Sequence, residues 1–309
     1  MNKKIISVIG GSGFIGNYLV DKLLDSGYYV KVISRKSKSN KKFYPSARLG
    51  QYSIINCNIC DKEKLFKALE GSSFIINLVG VLEDSKKNSF NAAHVQGTNN
   101  IFKFCSKNEV EKLIHISALA VNKNKTSKYA LTKFLAEKNI KKIKNSLILR
   151  PSIVFGDEDN FINFFAQYAK FSPFLPLIGG GNTKFQPILV SDLRNIIVIC
   201  VNKKFNKGQV LEIGGPDILT FKEILAFILK ELEIKRYFLN LPFNAASKLA
   251  FFLEKLPKKL LTRDQVEMLK SNNTVLKKYS YKNFIEYEST SFFIAARNQL
   301  KFYKKNGGH

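Results

Sequence analysis

The stretch Ile5-Ile6-Ser7-Val8-Ile9-Gly10-Gly11-Ser12-Gly13-Phe14-Ile15-Gly16 decides how the chain is read. An apolar run of strand length, 4–9, stops at glycines 10, 13 and 16, and a helix-length amphipathic segment, 14–26, follows directly. Glycines at that spacing permit a tight turn and close backbone approach. The helix N-terminus behind them offers unpaired N–H groups and positive dipole to a pyrophosphate. Three glycines alone are a weak signal. Between a strand and a helix they mark a dinucleotide-binding turn, with Gly10, Gly11, Ser12, Gly13, Phe14, Ile15 and Gly16 as candidate cofactor contacts.

Outward from this turn, strands at 29–34, 52–57, 73–79, 112–117 and 146–150 alternate with helices at 61–70, 90–107 and 127–143. Phe74-Ile75-Ile76-Asn77-Leu78-Val79 is almost unbroken in apolar residues, as a parallel sheet covered on both faces requires. The pattern predicts an α/β fold with a doubly wound parallel sheet, a Rossmann domain over 1–155. After Pro151 the rhythm loosens, with helices near 159–170, 190–202, 220–233, 243–255 and 262–271 and short strands near 185–189, 209–213 and 236–240. Residues 156–309 are expected to form a smaller C-terminal lobe, with segments near 185–215 packing back on the first domain.

The second strand ends in Ser34-Arg35-Lys36, where an NAD-preferring site carries a carboxylate for the ribose hydroxyls. Two cations suit a 2′-phosphate, so NADP(H) is favoured over NAD(H). Further candidate contacts sit at later strand ends: Asn58 and Asp61, then Leu78, Val79 and Gly80, then Ser117, then Pro151, Ser152 and Ile153. Asp61 has two readings, an acceptor for the adenine amine or an N-cap of helix 62–70.

Ser117 ends the fifth strand, and Tyr129-Ala130-Leu131-Thr132-Lys133 sits on the next helix. The i, i+4 spacing stacks Tyr129 and Lys133 on one face. An ammonium beside a phenol is expected to lower its pKa toward the range useful for proton transfer, and the same lysine can hold a nicotinamide ribose. A serine hydroxyl can orient a substrate oxygen. Ser117, Tyr129 and Lys133 are therefore the candidate catalytic set, although the lysine serves equally a site that only holds nucleotide.

These features, in this order, are the signature of the short-chain dehydrogenase/reductase superfamily. Within it the chain resembles an atypical extended branch, the Rossmann-type accessory subunits of respiratory complex I (the alpha-subcomplex subunit nine family) and their bacterial relatives. The likeness rests on Arg48-Leu49-Gly50-Gln51, Asn77-Leu78-Val79-Gly80, His94-Val95-Gln96-Gly97, His115-Ile116-Ser117-Ala118, Ser127-Lys128-Tyr129 with Lys133 and Glu137, and Arg150-Pro151-Ser152 with Phe155-Gly156. It continues in Gln186-Pro187 with Val190 and Asp192, and in Leu261-Thr262-Arg263-Asp264-Gln265-Val266, outside the Rossmann core. His94 stands where sugar-nucleotide epimerases of the extended class carry asparagine, which argues against sugar-nucleotide chemistry; it reads equally as a packed core histidine. The resemblance implies tightly held NADPH and a structural or assembly role where the complex meets the membrane. The alternative is an active NADPH-dependent oxidoreductase or isomerase, in ubiquinone metabolism, with Tyr129 as general acid/base.

Composition bounds these readings. The 309 residues are 45% hydrophobic and 12% aromatic, enough for a sizeable core, so disordered and low-complexity classes are excluded. Fifty Lys+Arg against 24 Asp+Glu give +26, but only seven of the fifty are arginine. Phosphate and base readers favour arginine's bidentate fork, and no nucleic-acid module is visible, so no nucleic-acid partner is expected. Four cysteines fit a reducing compartment, and nothing nearby completes Cys57-x-x-Cys60 as a metal site. The start of the chain reads as a first strand with no signal peptide, and no apolar run approaches a membrane span. The expected location is cytoplasmic, peripheral on the inner face of the energy-coupling membrane.

Positive charge concentrates late: residues 235–309 carry 15 basic and five acidic residues. There, segment 241–260 sets Leu249, Phe251, Phe252, Leu253 and Leu256 among Lys248, Lys255, Lys258 and Lys259. This is a basic amphipathic pattern suited to an anionic lipid surface, or equally a helix packed on the lobe with solvated lysines.

Overall fold

The computed structural model describes residues 4–35, 44–81, 83–85, 89–122, 124, 126–256 and 260–304. The first half alternates as β1 (Ile5–Ile9), α1 (Phe14–Asp25), β2 (Tyr29–Ser34), β3 (Tyr52–Asn56), α2 (Lys62–Leu69), β4 (Phe74–Asn77), α3 (Gly97–Cys105), β5 (Lys112–Ile116), α4 (Lys128–Ile140) and β6 (Ser146–Pro151). There follow β7 (Val154–Phe155), α5 (Ile162–Phe171), β8 (Phe174–Ile178), β9 (Lys184–Phe185), β10 (Ile188–Leu189), α6 (Val190–Asn202) and β11 (Gln209–Ile213). The chain continues through β12 (Leu219–Thr220), α7 (Phe221–Leu232), β13 (Tyr237–Leu241), α8 (Phe243–Leu253), α9 (Arg263–Met268) and α10 (Phe292–Leu300).

Seven strands form one sheet in the order β11-β6-β5-β4-β1-β2-β3, every neighbouring pair parallel. Alternate strand residues serve opposite faces. Ile6, Val8, Val32, Ile76 and Leu149 pack with Leu19 and Leu23 of α1 and Leu193 and Ile197 of α6. Ile9, Ile33, Ile75, Leu113 and Ile148 pack with Leu65 of α2, Ile101 of α3 and Ile140 of α4. With both faces covered, each buried side chain contributes about 1.5–3 kcal/mol, which is why these strands are apolar throughout. The doubly wound α/β architecture read from the sequence is therefore present. Strand order reverses between β1 and β4, and this opens a crevice at their carboxyl ends.

A second core joins Phe155, Ile162, Leu225, Ile228, Phe292 and Leu300, and a small cluster of Ile178, Ala246, Ala250 and Val266 ties α8 and α9 to it. The sequence pattern misses β8, whose Pro176 argues against a strand. β8 pairs only with β13, so the proline sits on an edge where the missing N–H costs no ladder bond. The helix expected at 90–107 also differs: residues Asn91–Gln96 form a π-helical turn that leads into α3 and turns His94 fully inward.

Candidate dinucleotide site

The glycine turn closes on itself through Gly13 N–H to Gly10 O at 3.0 Å, and Gly10 N–H donates to Ile33 O at 2.7 Å. Gly10 has φ of +83°, left-handed backbone that suits glycine, and a Cβ there would sit 3.3 Å from the backbone of Leu78 and Val79. At Gly16 the demand is steric, because a Cβ would lie 2.5 Å from Gly11 O and 2.6 Å from Gly10 O. α1 begins at Phe14 behind Gly13, with no side-chain cap and no acidic residue in its first turn. A helix start of this kind, without a side-chain cap and behind a turn with no room for a Cβ at Gly16, is chemically suited to an anion. Ser12, Phe14 and Ile15 are each partly exposed along this rim.

The loop after β4 lies against the turn. Leu78 N–H donates to Ile9 O at 2.9 Å, Val79 N–H to Asn77 Oδ1 at 3.1 Å, and Gly80 is exposed beyond them. At the end of β2 the Ser34 hydroxyl is buried without a hydrogen-bond partner among the described residues, and Arg35 follows it, exposed. Lys36 lies outside the described residues. Of the two readings of Asp61, the structure shows the cap: Asp61 accepts the Lys64 N–H at 3.2 Å, and Asn58 Oδ1 accepts the Cys60 N–H at 3.1 Å. Pro151 pairs with Ile213, the Ser152 hydroxyl donates to Asn273 Oδ1 at 2.6 Å, and Ile153 O accepts the Ile188 N–H.

Ser117, directly after β5, and Tyr129 and Lys133, on α4, are all buried, at 4%, 8% and 3% exposure. Lys133 Nζ donates to Ile116 O at 3.0 Å, and a Cβ on Gly80 would lie 3.2 Å from it. The Ser117 hydroxyl is buried with no partner among the described residues. Burial holds the Lys133 ammonium down at about 8, with Glu137 acting against it. One expectation is corrected here. The Tyr129 phenol is pushed up to about 12 by burial and then by the Asp264 carboxylate, and Lys133 does not offset them. The reason is desolvation, which disfavours phenolate more than the spacing of the two residues favours it.

Three groups near this set carry roles that spacing alone did not show. Tyr129 meets the rings of Phe90 and His94 edge to face, with centroids 5.7 and 5.6 Å away. His94 Nε2 accepts the Val81 N–H at 3.3 Å and Nδ1 lies 3.0 Å from Thr132 Oγ1, so the ring carries its proton on Nδ1. Burial, then Lys133, holds His94 at about 3, and the imidazole is neutral. It is thus both packed and hydrogen-bonded. Glu137, one turn past Lys133, is paired in the interior with Arg150, whose Nη1 also lies 3.6 Å from Glu212. Opposite charges at 137 and 150 within apolar surroundings are the signal that would have found this network. Asp264, noted in the sequence only within a string of residues, reaches the N-terminus of α4: its carboxylate accepts from Ser127 Oγ at 2.9 Å, Lys128 N–H at 2.7 Å and Tyr129 N–H at 3.3 Å.

Residues 7–215 match the 3-beta hydroxysteroid dehydrogenase/isomerase family. The chain belongs to that family. Among its relatives is the NADH dehydrogenase (ubiquinone) 1 alpha subcomplex subunit 9, mitochondrial, of Dictyostelium discoideum, 32% identical over 227 residues. That alignment covers 73% of this chain and 63% of the relative, so the chain matches less than two thirds of the relative's length. The protein of the same name from Arabidopsis thaliana is 27% identical over 284 residues, 88% of this chain and 71% of that one. In fold, this family member is similar to the dTDP-glucose 4,6-dehydratase of Bacillus anthracis solved with NAD, with a TM-score of 0.73 and 20% identity, covering 98% of this chain and 97% of that one. The likeness in fold runs over nearly the whole chain, beyond the residues that the family match covers.

Proposed function

We propose that the chain holds NADP(H) and serves as an accessory or assembly subunit of respiratory complex I, without turnover of its own. The likeness to two mitochondrial complex I subunits over 73% and 88% of the chain carries this reading. In it, the Gly10–Gly16 turn and the N-terminus of α1 take the pyrophosphate, Arg35 and Lys36 take the 2′-phosphate, and Lys133 takes the nicotinamide ribose. The bound nucleotide would supply hydride chemistry; the protein's part is to grip and enclose it.

The C-terminal lobe supplies a docking face in the same proposal. Leu249, Phe251, Phe252, Leu256 and Leu260 are exposed on and beyond α8, beside Lys248 and Lys255. Among the described residues no helix is long and apolar enough to cross a membrane. In this proposal the face rests on anionic lipid at the inner side of the energy-coupling membrane, with aromatic rings at the headgroup boundary and lysines toward phosphate.

The deciding experiment solubilises native membranes mildly, separates complexes on a native gel and follows this chain beside NADH dehydrogenase activity, with nucleotide identified by mass spectrometry. Co-migration with stoichiometric NADPH supports the proposal. A free monomer that reduces a carbonyl or quinone with NADPH overturns it and favours the second reading, in which Tyr129 is the general acid/base and Ser117, with its unpartnered hydroxyl, orients the substrate. Tyr129→Phe separates the two. A holding site keeps its nucleotide and its function in that variant, whereas a reacting site keeps nucleotide and loses function.

A further inference from the structure

Two helix N-termini share one carboxylate beside Tyr129. α9 is capped by Thr262 and Gln265 in a reciprocal box, which satisfies the N–H groups of those two residues without drawing on the Asp264 carboxylate. Asp264, in its first turn, is thereby released to cross to α4, where it accepts from the Ser127 hydroxyl and the leading N–H groups of Lys128 and Tyr129. Ser127 Oγ in turn accepts the Ala130 N–H. The first turn of α4 is thus fully satisfied, with the positive end of its dipole facing a charged group.

A second clamp lies beside the first. Asn124 Nδ2 donates to Glu267 O at 2.6 Å, and Thr126 Oγ1 donates to Glu267 Oε1 at 2.6 Å. On its far side α9 is held to α8, where Glu254 accepts the Arg263 N–H at 2.7 Å and pairs with its guanidinium at 3.0 Å.

The consequence is positional. A cleft of about 650 Å³ opens between the lobes, lined among others by Phe90, Lys128, Phe251, Lys255, Arg263 and Asp264. Tyr129 is not among its lining residues. Phe90, whose ring meets Tyr129, and Asp264, which accepts the Tyr129 backbone N–H, both line the cleft, so Tyr129 lies directly behind two of its lining residues.

We propose that α9 is an autoinhibitory latch: Asp264 pins it across the N-terminus of α4, closes Tyr129 off from the interlobe cleft, and must leave before any molecule in that cleft can reach the Ser117–Tyr129–Lys133 set. The latch deepens the non-turnover reading above by naming what withholds Tyr129 from chemistry. It concerns the access of Tyr129, whereas the nucleotide's phosphates are taken by the Gly10–Gly16 turn and Arg35, so the two can fail separately.

The test uses the full chain and tetranitromethane, which nitrates the phenolate form of tyrosines it can reach, with each site followed by mass spectrometry over a range of pH so that access is separated from ionisation. Tyr237, exposed on β13, is the internal reference. In the wild type Tyr129 should be nitrated far more slowly than Tyr237. In Asp264→Ala its rate should rise at least about tenfold, because three charge-assisted hydrogen bonds hold the closed form. Asp264→Asn keeps the shape and one acceptor oxygen, so it folds even where the alanine variant does not, and its rate should lie between the two. Equal rates for Tyr129 in the wild type and in Asp264→Asn, or a wild-type rate matching Tyr237, overturn the latch. Nucleotide content measured on the same samples reports on the function proposed above: protein that never carries nucleotide sinks that reading, while a faster Tyr129 rate in those samples still supports the latch.

Discussion

Arg150 and Glu137 form a two-point ion pair in the interior, Nε to Oε1 at 2.8 Å and Nη2 to Oε2 at 2.6 Å, with both side chains at most 3% exposed. Arg150 is the penultimate residue of β6 and Glu137 lies on α4 one turn beyond Lys133, so the pair fixes the helix that carries Tyr129 and Lys133 against the sheet. Arg150 also faces Glu212 of β11. Arg150→Met should destabilise the fold by about 3–5 kcal/mol, since two carboxylates would be left buried without their cation. Glu137→Leu should cost less, because Arg150 keeps Glu212. Urea unfolding of the two variants gives the order.

Gly16→Ala should abolish nucleotide retention. The added methyl would meet two backbone carbonyls at 2.5 and 2.6 Å, which move only if the whole turn opens. Gly27→Ala is the matched control: its φ of +85° makes alanine cost about 1 kcal/mol, but nothing lies within 4 Å and the nucleotide turn is untouched. Calorimetric titration with NADPH should show loss of binding in the first and wild-type affinity in the second.

Arg35→Ala should weaken NADPH by about tenfold or more and leave NADH nearly unchanged, as one charge-assisted contact to a phosphate is worth about 1.5–3 kcal/mol. Equal loss for both nucleotides would assign Arg35 to the ribose or adenine and remove the argument for a 2′-phosphate.

Lys133 carries a pH dependence of defined sign. Its folded pKa, about 8, lies below the ordinary 10.5, so between those values the unfolded chain binds a proton that the folded chain lacks. Stability from this group therefore rises with pH across that window and is lowest below about 8, a span on the order of 3 kcal/mol. Nucleotide-free wild type should gain on Lys133→Met by most of that amount between roughly pH 7 and pH 10 in denaturant titrations.

Phe251→Ser with Phe252→Ser should abolish flotation of the chain with vesicles containing anionic lipid, and should leave the melting temperature within a few degrees, because the two rings are 43% and 64% exposed already. Flotation of the wild type that survives this double change would place the lipid contact elsewhere.

The alternating architecture was legible because its causes are local. Strands buried on both faces must be apolar throughout, and a turn that brings β1 against the loop after β4 must have glycine at 10 and 16. The Tyr129–Lys133 stacking was legible for the same reason, since helical geometry sets the i, i+4 relation. β8 was hidden because Pro176 reads as a strand breaker until the pairing shows that its strand lies at an edge. The π turn at Asn91–Gln96 was hidden because residue spacing does not reveal which hydrogen-bond register a helix adopts when a neighbour, here Thr132, bonds to its inward histidine.

What the sequence by itself determined is the class of fold, the glycine turn between β1 and α1, and the shared helical face of Tyr129 and Lys133. What only tertiary structure decided is the electrostatic state of that site. Spacing placed an ammonium near a phenol and implied a lowered pKa; burial raised it to about 12 instead, with the carboxylate of Asp264, 135 residues away in sequence, adding to the effect. Spacing along one helix is a local property of the chain. Desolvation and the approach of a remote carboxylate are properties of the packed whole, and they set which protonation states the site can use.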